Sequence, residues 1–176
     1  MKVRRVATGH DAEDKAVVAS DEAVDGITSD LIPGFEFHRL WGADETLTFP
    51  DDGSPPSQHT YFPPLGGFRV GLFTVPPEST MALEDIDFEA AARAVEESLP
   101  GLADHMEAED PAMHTTDTVD FEYVVSGRIS LELDDGVEVD LVAGDTVVQN
   151  GTRHAWRNHS DEPATMVVCL IGARRA

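Results

Sequence analysis

The chain has 176 residues and carries 34 acidic against 12 basic side chains, a formal net charge of −22. That length fits one domain with a sizeable core, and that charge repels phosphate backbones and anionic bilayers, so nucleic acid and membrane surfaces are excluded as partners. The longest apolar run, at 164–173, is too short to span a bilayer and the basic start MKVRRVATGHD has no apolar stretch behind it, so a soluble, cytoplasmic protein is expected.

In chain order, KVRRVAT and KAVVAS read as edge strands and 35-FEFHRLW-41 as a further strand. The Pro, Gly, Ser and Asp between 48 and 64 mark a surface loop, and 68-FRVGLFTVPP-77 is a strand stopped by its paired prolines. In 87-DFEAAARAVEESLPG-101, Asp87 can cap, Phe88, Ala91, Val95 and Leu99 recur at helical spacing, and Pro-Gly supplies the stop. This helix is expected outside the sheets or across one end, with its acidic face in water.

From Phe121 to Gly172 the pattern is of short strands separated by turns. ISLEL and VEVDL alternate around Asp134-Asp135-Gly136, a hairpin signal. The last strand holds Cys169, the only cysteine, so an intrachain disulfide is impossible and a buried packing role is expected. Several short strands with one helical insertion predict a closed or rolled all-β fold.

The stretch 113-MHTTDTVDFEYVVSG-127 carries chemistry. Side chains alternate along a strand, so His114, Thr116, Thr118, Asp120, Glu122 and Val124 share one face if the segment is extended, and His154, Trp156 and Asn158 share one by the same parity. Two carboxylates on one inward face repel each other unless a cation or a shared proton relieves them. The plainer readings are that each histidine is a hydrogen-bonded core residue, that Trp156 is packing, and that a bulge turns Glu122 outward. Arg153 and Arg157 fall out of register with His154 and read as surface or interface residues. His10, His38, His59, His105 and His159 receive no role, although His59 sits in a loop, QHTYFPP, of the kind that can reach over a site.

Together, 114-HTTDTVDFEYVVSG-127 and 144-GDTVVQNGTRHAWRN-158 resemble the two motifs of the cupin family of small β-barrels. His114, Thr116, Asp120 and Gly127 fall on the first motif, with Thr116 where a second histidine belongs and Asp120 in place of Glu. Gly144, Gly151, His154 and Asn158 fall on the second. The resemblance implies a single cupin domain over 1–176, an antiparallel β-barrel or jelly roll. Residues 1–67 would be N-terminal strands and loop, and 68–172 the barrel, with a helical insertion at about 84–108. It further implies a homodimer and a divalent ion, zinc, iron, manganese or nickel, held by His114, Asp120 and His154.

Three functions follow. One is a metal-assisted lyase, isomerase, decarboxylase or oxygenase acting on a small molecule inside the barrel, with Glu122 as catalytic acid or base and Thr116, Thr118, Trp156 and Asn158 lining the ligand pocket. Another is a metal-free domain that binds or senses a small ligand. Between them lies a metal-free acid–base enzyme in which a histidine and a carboxylate work near neutral pH.

Overall fold

The structure, a computed structural model, describes residues 2–29, 32–80 and 88–176. Eleven strands and one α-helix are formed among them: β1 (Val3–His10), β2 (Ala16–Val24), β3 (Ile27–Ser29), β4 (Ile32–Ala43), β5 (Phe68–Val75), α1 (Phe88–Ser98), β6 (Thr118–Ser126), β7 (Arg128–Glu132), β8 (Glu138–Val142), β9 (Thr146–Gln149), β10 (Ala155–Arg157) and β11 (Ala164–Gly172).

A six-stranded antiparallel sheet in the order β3-β4-β5-β11-β6-β9 faces a three-stranded sheet, β10-β7-β8. Phe37, Phe73, Val75, Val124, Met166, Val168 and Leu170 from the large sheet meet Ile129, Leu131 and Leu141 from the small one in a single apolar cluster. Burial of that cluster drives the association of the two sheets. The all-β roll expected from the sequence is therefore observed, as two facing sheets.

The hairpin of β7 and β8 turns where its sequence demands. Asp135 and Gly136 both take positive φ, 60° and 69°, and Ser130 pairs with Asp140 across the ladder. Pro76 and Pro77 follow the last residue of β5, and α1 buries Ala91 and, just past its end, Leu99 while Glu89, Glu96 and Glu97 stay exposed. The helix lies against β3, and its last carbonyls receive Arg39, whose Nη2 donates to Ser98 O at 3.2 Å. The Asp87 cap lies outside the described residues, as does the side chain of Phe88.

Two expectations need correction. KVRRVAT and KAVVAS do not edge the main sheet but pair with each other as a separate two-stranded sheet, anchored where Arg5 stacks on Trp41 at 5.3 Å and donates to Leu40 O at 2.9 Å. Each pairs along one edge only, with the other strand of the hairpin. Cys169 is not in the core. It points to the outer face of the large sheet, cross-strand from Phe121, because Val168 and Leu170 take the inward positions.

Arg153 and Arg157, read as surface or interface residues, are partly exposed and ion-paired. Arg153 grips Glu107 with two bonds, at 2.6 and 2.7 Å, while Arg157 bonds Asp110 and also Glu132 at 2.6 Å. Together they tie the strap before β6 to the strands of the small sheet. No helix among the described residues is long and apolar enough to cross a membrane.

Gly127, in the turn from β6 to β7, has φ of 80°, and a Cβ there would stand 2.5 Å from the carbonyl oxygen of Pro163. Gly127→Ala is expected to cost about 2 kcal/mol or more, since left-handed strain and a backbone clash act together. The check is a lowered urea midpoint at unchanged slope.

Candidate functional site

β6 is hydrogen-bonded on both sides, to β11 and to β9, and its burial alternates strictly from Thr118 to Val124. Thr118, Asp120, Glu122 and Val124 are each no more than 3% exposed, whereas Phe121 and Tyr123 are 48% and 41% exposed. Thr116, ahead of the strand, is buried on the same side. From Thr116 to Val124 the row read from the sequence is one surface, and the bulge in this strand falls at Val125, past both carboxyls.

Along that surface the Thr116 and Thr118 hydroxyls are bonded at 2.8 Å, and the Thr118 hydroxyl lies near enough to Asp120 to pull its carboxyl down. Burial lifts the Asp120 carboxyl to about 6 against the pull of that hydroxyl. Burial, with the neighbouring Asp120 charge adding to it, lifts Glu122 to about 8. Asp120 Oδ1 and Glu122 Oε2 are buried without a hydrogen-bond partner among the described residues.

At the other end, His114 and His154 form a small antiparallel bridge, each backbone N–H donating to the other's carbonyl at 2.9 Å, with ring centroids 4.2 Å apart. Each Nδ1 faces a backbone carbonyl two residues back, Ala112 O at 2.9 Å and Thr152 O at 3.0 Å. A carbonyl only accepts, so Nδ1 carries the proton and, in the neutral ring, Nε2 is the bare nitrogen. Burial, then the presence of His114, pushes His154 down to about 4 against the Thr152 carbonyl. His114 is lowered as well, mainly by burial.

The surface loop also reaches this face. Tyr61 packs edge-on against Phe37 and Phe62 at 5.2 and 4.8 Å, close enough to Asp120 and Glu122 that, after burial, their charges raise its phenol further. Phe62 touches His105 at 4.7 Å and His114 at 6.3 Å. His105 hydrogen-bonds Thr115 O at 3.0 Å.

The expected ion-binding set does not fit as placed. Among the described residues no three His, Cys, Asp or Glu converge on a point where they could hold an ion. Along the row Thr116 and Thr118, their hydroxyls bonded to each other, come between His114 and Asp120 in chain order. Two depressions, one at Gly127, Arg128 and Ser160–Glu162 and one at Ser130, Asp140 and His159, contain none of these residues.

A profile of the Cupin domain matches residues 104–170, which hold the whole of this arrangement except the loop. The chain belongs to the cupin family. The phomopsin biosynthesis cluster protein D of Diaporthe leptostromiformis is 31% identical over 157 residues, covering 89% of this chain and 70% of that protein. Protein C′ of the same cluster and organism is 41% identical over 68 residues, 36% of each chain, so the match spans about a third of that relative. Among solved structures, a cupin-superfamily sugar phosphate isomerase from Silicibacter pomeroyi aligns with a TM-score of 0.46 at 19% identity, over 86% of this chain and 72% of that one.

In this cupin, Asn158 braces a turn. It is fully buried, and its amide donates to Val75 O and Glu162 O at 2.9 Å and accepts from Ser160 N and Oγ at 3.0 and 2.7 Å, which fixes the β10–β11 turn onto β5. Trp156 is partly buried against the core, 6.4 Å from Phe73 and 6.0 Å from His154. His59 turns away to Asp44, which Arg69 also holds. The sequence reading missed Tyr61, His105 and Gln149. Gln149 was accessible by the parity used for β6, because it pairs with Asp120 on β9. Tyr61 was not, since a loop has no periodicity.

The two groups oppose each other in pH. Glu122, raised in the fold, binds a proton that the unfolded chain has lost, so its contribution falls as pH climbs from about 4.5 to about 8, at about 1.4 kcal/mol per pH unit. His154, lowered in the fold, costs stability as pH falls from 6.5 toward about 4. Glu122→Gln is expected to be more stable than the parent at pH 7.5 by a few kcal/mol, with the gap closing by pH 4.5. Thermal unfolding against pH checks this, and parallel curves would place Glu122 in solvent.

Proposed function

We propose that this cupin is a small-molecule enzyme that moves protons at carbon, a lyase, isomerase or dehydratase working on the inner face of β6. The observation that carries the reading is the pair Asp120 and Glu122, buried two residues apart with carboxyls near 6 and near 8. At neutral pH Glu122 keeps its proton and Asp120 has mostly lost its own, so one strand presents a general acid beside a general base.

In the proposed chemistry Asp120 takes a proton from a substrate carbon. The electron pair left behind either expels an oxygen from the adjacent carbon, with Glu122 protonating it as it leaves, or is reprotonated at a neighbouring carbon. The bare Nε2 of His154 is a second acceptor, kept uncharged by its surroundings. An ion is given no step, because the residues expected to hold one do not converge. The relatives named for the phomopsin biosynthesis cluster support a role in making small molecules.

The test requires no knowledge of the product. Protein in deuterium oxide is incubated with a panel of small hydroxy and carbonyl compounds, and deuterium incorporation at carbon is followed by proton NMR. The parent is expected to label at least one compound, with a rate rising near pH 6 and falling near pH 8. Asp120→Asn and Glu122→Gln should each slow labelling about a hundredfold or more. Binding of a compound without labelling would instead favour the metal-free binding domain.

A further inference from the structure

Gln149 ends β9 as the cross-strand partner of Asp120 and is 4% exposed. Its Oε1 accepts the hydroxyl of Thr152 at 2.7 Å, which turns Nε2 the opposite way. That Nε2 is buried without a partner, as is Oδ1 of Asp120. The bond from the Thr152 hydroxyl, which donates to Oε1, fixes this orientation of the amide.

The backbone around Gln149 is held firmly. Gly151 takes φ of 59°, and a Cβ there would meet Thr116 O at 3.0 Å, so the turn after β9 lies directly across the start of the inner row. Arg175 then fastens the two together, with Nη2 donating to Thr116 O at 2.8 Å and to Gly151 O at 2.9 Å. A buried donor and a buried acceptor, both unanswered, therefore belong to residues that are cross-strand partners on paired strands. Native proteins rarely leave such atoms unmatched, and where they do a ligand is a physical explanation.

We propose that Gln149 is the specificity-determining residue of the site and that, with Asp120, it selects substrates bearing a neutral group that both accepts and donates a hydrogen bond, namely a hydroxyl or a carboxamide. The group accepts from Gln149 Nε2 and donates to Asp120 Oδ1. This rests on the acid–base reading, since it delivers the substrate to the same carboxyl. A carboxylate-bearing group would meet the acidic pair unfavourably, and a cation would leave Gln149 Nε2 unanswered.

The test is NMR titration of ¹⁵N-labelled protein with two neutral probes, 1,2-ethanediol and acetamide, and with acetate and tetramethylammonium as charged comparisons. The neutral probes are expected to shift the Gln149 side-chain amide pair saturably and the charged ones to leave it in place. Response to only one neutral probe assigns the group to hydroxyl or to carboxamide. Gln149→Met, close in volume, and Gln149→Glu, which replaces the donor by an acceptor, should each weaken probe binding tenfold or more. An unmoved Gln149 amide in the parent overturns the proposal without any variant having to fold, and so does unchanged affinity in Gln149→Met. Deuterium labelling by the parent is read separately: if it persists while the amide is silent, Gln149 alone is discounted, and if labelling is absent too, the acid–base reading falls with it.

Discussion

Two carboxyl groups share the inner face of β6, and no cation meets them among the described residues. Leaving Asp120 and Glu122 charged inside an apolar cluster would cost more than a domain of this size can spare. The fold meets that constraint by proton uptake, which is why both groups sit above the ordinary carboxylate range. The strand that carries them is the one strand of the large sheet flanked by both β11 and the edge strand β9, so it has no freedom to turn the acids out. Hydrogen bonding on both sides of β6 thus holds in place what electrostatics alone would expel.

The imidazole pair solves the same problem with the opposite sign. His114 and His154 sit where burial disfavours charge, and their 4.2 Å separation makes double protonation worse, so both stay neutral while Glu122, further along the row, keeps its proton. Acidification therefore relieves the carboxyls and burdens the histidines, while alkalinisation does the reverse. The interior holds its working protonation state between those limits, which is where one protonated and one ionised carboxyl coexist.

Much of this was legible in the sequence, for physical reasons that can be named. Period-two alternation fixes which side chains share a face, and it placed Thr116, Thr118, Asp120, Glu122 and Val124 together because a strand bonded on both edges cannot slip. Asp-Gly chemistry located the β7–β8 turn, and apolar spacing located α1. What escaped was set by distant sequence. Salt bridges join Arg153 to Glu107 and Arg157 to Asp110, pairs 46 and 47 residues apart that no local pattern links. Tyr61 reaches the row from a loop, and Cys169 turned outward because its two neighbours took the core. The ion-binding set followed from motif positions alone, and among the described residues its members do not converge.

Where the bases lie decides what the interior can be. The chain has 12 of them against 34 acids. Arg4, Arg5, Arg153, Arg157 and Arg175 are each bonded to carboxylates at or near the surface, and Arg69, though buried, is held by Asp44 and by the carbonyls of Ala43, Phe68 and Thr60. None is released to the inner row. Had Arg69 instead faced Asp120, from which it is separated in the ladder only by Leu170, the carboxyl would be pulled below its ordinary range and would be a poor base near neutrality. The bonds that hold Arg69 at the end of β5 are therefore as much a part of the site as the acids, because they keep a guanidinium out of reach and leave proton exchange as the way for the pair to settle its charge.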